Sequence, residues 1–248
     1  METKYQKESE LEIVALKESL KEPVVKLYSA VFAGPPWFEQ FKCTYCGQQY
    51  GGENENEETI KGKYASCINN KCLEPTKALN IVPFYEGTFF NAEEQKEVRN
   101  LGEAIYLDAL IQPGFIGVAG KLDDKFVGFS WGFKLPEKKS PSVWFDEVQK
   151  KFSNEGINTD KMFYSAETGV DPAYQKNGLG VDLSKARLSE AKKSGYELVT
   201  FRTKNGKLLK VYEKLFGENN GIKLFPDPDP TKDPAVRWYV WDFKDLKE

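Results

Sequence analysis

The sequence predicts a mixed α/β (α+β) fold, a central β-sheet flanked by helices, and three observations carry that reading. A strand-like run from Met162 to Thr168 meets a turn with two glycines and then an amphipathic helical run that ends at Ser194-Gly195. Strand and helix patterns alternate along most of the chain instead of separating into blocks. The 248 residues are 40% hydrophobic and 14% aromatic, enough for a real core in one large domain that carries an insertion.

The elements follow in order. Glu10 to Lys17 alternates apolar with polar residues (Leu11, Ile13, Ala15), the period of a first strand. Ser19 caps a helix with Pro23 in its first turn and an apolar face of Val24, Val25, Leu27, Tyr28, Val31 and Phe32. Gly34-Pro35-Pro36 stops it, and Trp37-Phe38 reads as a structural plug at that turn more readily than as a wall of a substrate pocket. Asn91 caps a second helix, with a buried stripe expected at Val98, Leu101, Ala104, Ile105 and Ala109. Phe115 to Ala119 and Lys125 to Phe133 form a hairpin across Leu122-Asp123-Asp124. Pro141 to Phe152 is a short helix. After the central turn come a helix built on Leu179, Leu183, Ala186 and Leu188, a strand from Glu197 to Thr203, and a helix opened by Asn205 and closed by Gly217. Ile222 to Phe225 and Val236 to Phe243 are terminal strands.

Composition excludes several classes of chemistry. Lys plus Arg is 35 against 38 Asp plus Glu, a formal charge of -3, which argues against nucleic acid held through phosphate contacts. No apolar run is long enough to span a membrane, and Met1 to Glu10 lacks an apolar signal core, so no membrane role and a cytoplasmic location are expected. With no histidine, His-based hydrolases and His-ligated zinc are excluded, and any general base is a carboxylate, Tyr, Cys, Lys or a relayed water.

All four cysteines fall between residues 43 and 72: Cys43 and Cys46 as a CxxC knuckle, Cys67 and Cys72 as a wider pair, with an acidic loop between. In a reducing compartment two disulfides are disfavoured. Four thiolates in two pairs suit tetrahedral Zn2+ in a closed, structural site, against free thiols or a redox pair at Cys43 and Cys46. Residues 40–85 are therefore expected to be an inserted zinc-ribbon-like subdomain within a single domain spanning 1–248.

The central turn is Gln175-x-x-Gly178-x-Gly180 after Val170-Asp171-Pro172. There is no P-loop and no dinucleotide fingerprint. A strand, a glycine turn and a helix N-terminus form an anion site, because the first helical N–H groups are unpaired and glycine lets an anion approach them. The alternative is an ordinary turn whose glycines serve close packing.

Val170, Pro172, Gln175, Gly178 and Gly180 resemble the acyl-CoA-binding motif of the GNAT acetyltransferase superfamily. Downstream, Asn205, Leu208, Tyr212 and Gly217 resemble a second motif of the same family, with Leu208 where alanine is usual and a Phe-Gly closing order instead of Gly-Phe. The resemblance implies a GNAT fold over most of the chain outside the cysteine unit, and acetyl-CoA as co-substrate. It implies that backbone N–H groups of Lys176, Asn177, Gly178, Leu179, Gly180 and Val181 hold the pyrophosphate. The strand edge near Thr168 and Val170 would pair with the pantetheine, the N–H near Thr168 would polarise the thioester carbonyl, and Asn205 would hydrogen-bond the pantetheine arm. Tyr212 would protonate the leaving thiolate, a core aromatic being the alternative.

The base is the candidate Glu167, with Tyr164 and a relayed water as rivals. Strict alternation puts Glu167 on the face opposite Thr168, and a bulge would change that. Asp227, Asp229 and Asp233 either attract a cationic amine or sit in a solvated loop stiffened by prolines. The expected activity is acyl transfer from acetyl-CoA to the amine of a small molecule or peptide, with a homodimer left open. The competing reading is a non-catalytic or weakly CoA-binding module whose zinc unit docks a protein or nucleic-acid partner.

Overall fold

The computed structural model describes residues 10–32, 41–43, 49–50, 66, 81–83, 92–136, 143–203, 206–218, 220–228 and 235–247. In chain order the elements are β1 (Glu12–Ala15), α1 (Lys21–Phe32), β2 (Phe41–Cys43), β3 (Gln49–Tyr50), β4 (Ile81–Pro83), α2 (Ala92–Ile111), β5 (Ile116–Leu122) and β6 (Lys125–Lys134). They continue with α3 (Val143–Asn154), β7 (Met162–Val170), α4 (Leu179–Lys193), β8 (Leu198–Thr203), α5 (Gly206–Phe216), β9 (Ile222–Pro226) and β10 (Arg237–Asp242). The expected order of elements is reproduced, and β7 runs two residues past the predicted Thr168. Among the described residues, no helix is long and apolar enough to cross a membrane.

Two compact units divide the chain: Met1–Glu18, Asp108–Thr168 and Lys176–Glu248 in one, Ser19–Leu107 and Gly169–Gln175 in the other. The second unit contains a three-stranded sheet in the order β3-β2-β4, antiparallel throughout, with Phe41 opposite both Tyr50 and Pro83. Its α1 buries Val24, Val25, Leu27, Tyr28 and Val31, as the apolar face predicts. Lys21 Nζ reaches Glu103 Oε1 at 2.6 Å and ties α1 to α2.

The stripe expected on α2 is corrected in part: Ala109 is buried as expected, and the side chains of Val98 and Leu101 lie outside the described residues. Ala104 is exposed and Ile105 only half-buried, while Gly102, Tyr106 and Ala109 are buried. Those three follow i, i+4, i+7, the spacing of one helix face. The large ring of Tyr106 sets the inward face, and Gly102 adds no bulk beside it.

The first unit is a seven-stranded sheet in the order β1-β5-β6-β7-β8-β10-β9. β7 and β8 run parallel, whereas β1–β5, β5–β6, β8–β10 and β10–β9 are antiparallel. Helices cover both faces. On one, Leu188 and Ala191 of α4 and Tyr212, Leu215 and Phe216 of α5 pack on Phe163, Val199, Phe201 and Trp241. On the other, Phe145, Val148 and Phe152 of α3 pack on Met162, Tyr164, Trp238 and Val240. Period-2 alternation along β7 thus sends Phe163 to the α4/α5 face and Met162 and Tyr164 to the α3 face. Gly132 of β6 allows the close approach of β7: a Cβ there would stand 2.4 Å from the Tyr164 carbonyl oxygen.

Candidate active site

The turn between β7 and α4 is built locally. Asp171 caps a single 3-10 turn, Pro172–Tyr174, its side chain accepting from the Ala173 N–H at 2.9 Å. Gln175 Nε2 donates to the Val170 carbonyl at 3.0 Å, so this glutamine closes the end of its own strand. Lys176 then takes φ +67 and Gly178 φ +88. The left-handed region costs a side-chain-bearing residue roughly 1–2 kcal/mol, which Gly178 avoids and Lys176 bears. Val181 and Asp182 N–H groups both go to the Gly178 carbonyl, at 2.8 and 3.1 Å. The N–H groups just before them, at the first turn of a 15-residue helix, have no intrahelical acceptor.

β7 then changes its relation to its neighbour. The parallel ladder joins Met162 to Leu198, Phe163 to Val199 and Tyr164 to Thr200. Beyond those pairs both strands continue without further pairing to each other among the described residues, and β8 remains paired to β10 as far as Thr203. Over this stretch β7 also slips register. Ser165 meets Tyr212 on the α4/α5 side, and Ala166 packs with the Tyr164 cluster on the α3 side. Thr168 Oγ1 lies 2.7 Å from Ser130 Oγ, and Ser130 shares its β6 face with Gly132, whose added Cβ would meet Phe163. Thr168 is therefore on the same face as Ser165, three residues earlier, which strict alternation forbids. A one-residue bulge at Ala166–Glu167 accounts for it. The bulge turns Glu167 to the α3 face, where its charge acts on the Tyr164 phenol, still opposite Thr168.

On the α4/α5 face stands a residue the sequence reading passed over. Arg187 is completely buried within the apolar stripe of α4. Its Nη1 donates to the Trp131 carbonyl at 2.9 Å and, at a longer 3.4 Å, to the Glu167 carbonyl. Nη2 donates to Tyr212 Oη at 2.9 Å, and Tyr212 Oη donates in turn to Ser165 Oγ. The guanidinium also lies over the Phe163 ring, 5.9 Å from its centre. Tyr212 is 1% exposed and packs on Phe201 with ring centres 4.1 Å apart, so it is at once a core aromatic and the middle of a polar network. The signal for Arg187 was present: a charged residue four after Leu183, inside a buried face otherwise made of Leu179, Leu183, Ser184, Leu188 and Ala191. Ala186, assigned to that face from the sequence, is only half-buried.

The α3 face holds the other polar group. Arg202 Nη1 pairs with Asp227 Oδ2 at 2.8 Å, and the Asp227 side chain is 1% exposed. This corrects both readings of Asp227, which is neither solvated nor an open anionic lure. Tyr164 adjoins the pair; burial pushes its phenol up, the Arg202 charge opposes that, and the Glu167 and Asp227 charges add to it. Tyr164 is thereby held as a neutral phenol, which weakens it as a rival base. Asn205, Cys46, Cys67, Cys72, Asp229, Asp233, Asn91 and Trp37-Phe38 lie outside the described residues, and Cys43 is described only as the last residue of β2.

Comparison with known proteins follows the same lines. The family described as Acetyltransferase (GNAT) matches residues 79–217, more than half of the chain. No curated protein matches the sequence. Among solved structures, a Pyrococcus horikoshii protein is similar over 94% of this chain and 98% of its own, at 16% identity and a TM-score of 0.47. A GNAT family acetyltransferase from Staphylococcus aureus is similar over 94% of this chain and 99% of its own, at 13% identity and a TM-score of 0.43. A GNAT family acetyltransferase from Brucella melitensis, in complex with acetyl-CoA, is similar over 81% of this chain and 80% of its own, at 11% identity and a TM-score of 0.41.

Proposed function

The chain belongs to the GNAT acetyltransferase family, and on that premise we propose that it transfers an acyl group, most simply acetyl, from acyl-CoA directly to an amine in a ternary complex. One observation carries the reading. β7 and β8 stop pairing after Tyr164 and Thr200, and the same β7 leads to the positive-φ residues Lys176 and Gly178 at the start of α4. A strand edge released from its neighbour offers backbone groups to an extended amide-bearing chain. A helix N-terminus reached through a glycine offers N–H groups to a pyrophosphate.

In this reading the N–H groups from Lys176 to Gly180 hold the pyrophosphate, the Val181 N–H expected to join them being taken by the Gly178 carbonyl, and Asn205 and the β7 edge at Thr168 hold the pantetheine. The N–H near Thr168 stabilises the oxyanion as the amine adds to the thioester carbonyl. Glu167 takes the proton from the incoming amine, directly or through water, since only a neutral amine attacks. The C–S bond then breaks with its electron pair on sulfur, and a proton supplied from Tyr212 completes the thiol. The acceptor is a primary amine on a small molecule or peptide. The single domain spanning 1–248 carries the cysteine unit at 40–85, whose Cys43, Cys46, Cys67 and Cys72 hold a structural zinc; their spacing supports this, and metal analysis finding no stoichiometric zinc would refute it.

The test of the cofactor is thermal unfolding with and without acetyl-CoA. At a hundredfold excess over Kd, binding adds about 2.7 kcal/mol, a rise of roughly 5–10 °C for a chain of this size. No shift would overturn the proposal and favour a module that does not bind CoA.

A further inference from the structure

Resting on the acetyl-transfer reading, we propose that Ser165 is the residue that hands the proton to the departing sulfur, at the end of a one-way relay formed by Arg187, Tyr212 and Ser165. The direction follows from donor chemistry. A guanidinium donates and never accepts, so the Arg187 Nη2 contact occupies a lone pair of Tyr212 Oη. The phenol hydrogen then goes to Ser165 Oγ. Ser165 keeps its own hydrogen, with no acceptor for it among the described residues. Three donors therefore point in sequence from α4 toward β7, and the last of them lies on the strand just where β8 departs.

Burial grades along the same line. Arg187 is 0% exposed, Tyr212 1% and Ser165 9%. Tyr212 thus stands behind Ser165, as the reservoir of the proton and not its final carrier. A buried arginine with no carboxylate partner among the described residues is a costly way to pin a helix. A leucine at this place in the stripe would pack without that cost. Placed against Tyr212 Oη, the permanent cation faces the one atom that turns negative when the relay fires. The step balances. As the C–S bond breaks, Ser165 Oγ–H gives its proton to sulfur and Tyr212 Oη–H reprotonates Ser165. The phenolate, held beside Arg187, recovers from solvent the equivalent of the proton that Glu167 passed on from the amine.

Arg187 and Tyr212 are positioning and relay residues here, and Ser165 is the catalytic one. The experiment compares Ser165→Ala, Tyr212→Phe and the double variant, with acetyl-CoA turnover read as free thiol against the best acceptor from a panel of polyamine, aminoglycoside, amino acid and peptide amines. Each single variant should lower kcat by about 10²-fold, as for loss of a general acid. The KM for acetyl-CoA should stay within about twofold, and the double variant should be no slower than either single one. In the wild type, kcat against the deuterium fraction of the solvent should curve, reporting two protons in flight, and should straighten in Ser165→Ala. Arg187→Lys, which keeps a charge and a donor, should retain more kcat than Arg187→Met.

If Ser165→Ala keeps more than about half of the wild-type kcat while Tyr212→Phe loses its share, Tyr212 acts directly and the relay is wrong. If both singles are near wild type, no residue of this network supplies the proton, although acetyl transfer itself stands. A wild type that turns over no acetyl-CoA overturns the parent reading and the relay with it. Should Arg187→Met fail to fold, Ser165→Ala, a loss of one small hydroxyl, still decides the question.

Discussion

Replacing Asp227 by asparagine separates a structural role from a substrate-attracting one. The carboxylate is 1% exposed and lies 2.8 Å from the guanidinium of Arg202, itself 20% exposed. Exposed pairs contribute about 0.2–1 kcal/mol, and breaking a fully buried one costs about 3–5 kcal/mol. With one buried partner and one partly wet, the loss should be about 2 kcal/mol, which for a chain of this size lowers the Tm by roughly 4–8 °C. Circular dichroism melts of Asp227→Asn, Arg202→Met and the double variant form a cycle. The coupling between the two sites should account for most of the Asp227 effect, because each single change strands the other's partner. If Asp227 instead serves to draw in a cationic amine, Asp227→Asn melts within about 1 °C of the wild type and raises the KM for cationic acceptors. That result would rule out a structural pair between Asp227 and Arg202.

Three further outcomes follow from the same geometry. Gly178→Ala has free space for its methyl but must hold φ +88, so it should cost roughly 1–2 kcal/mol and weaken acetyl-CoA binding in a calorimetric titration. Glu167→Gln should lower kcat by about 10²-fold or more if the carboxylate takes the amine proton; a change under threefold in steady-state assays would leave a relayed water as the base. Tyr164 has its phenol pushed above the usual 10.0, chiefly by burial. A raised folded-state value means the native protein holds its proton after the unfolded chain has lost it, so this stability is complete below the unfolded value and is lost as the pH rises through the folded one. Denaturant midpoints should therefore fall above about pH 10 in the wild type, and fall less in Tyr164→Phe.

What the sequence made legible was local. Gly178 could be read as a turn residue because the φ +88 it takes is costly for any residue with a side chain, and the apolar face of α1 because period alone defines it. What it hid was decided across the sheet. Arg187 reaches Trp131, 56 residues away, and Tyr212, 25 away, and no spacing rule pairs those positions. Asp227 looked solvated because it adjoins Pro226 and Pro228, yet Arg202 draws it inward from another strand. On α2, Ala109 was legible, but Ile105 was preferred to Tyr106 because hydropathy ranks it higher, while burial follows the larger ring.

The bulge in β7 brings these pieces into one argument. Without it, Glu167 would share the α4/α5 face with Ser165, and the candidate base would sit among the groups proposed to deliver a proton to sulfur. A carboxylate there would compete for the Arg187 guanidinium and neutralise the cation that the phenolate requires. With the extra residue, Glu167 turns to the α3 face, where its charge acts on the Tyr164 phenol, while its carbonyl receives Arg187 Nη1. The strand then stands between the two proposed proton transfers, with the candidate base on one side and the candidate acid on the other. The separation keeps a carboxylate that takes a proton away from the hydroxyls proposed to give one. Exchanging two residues, Glu167→Thr with Thr168→Glu, should place the carboxylate on the α4/α5 face that Ser165 and Arg187 share. It should abolish turnover while leaving the acetyl-CoA melting shift largely in place, since the N–H groups from Lys176 to Gly180 lie outside the slipped segment. Loss of the shift together with turnover would mean that this segment shapes the cofactor cradle instead of dividing acid from base.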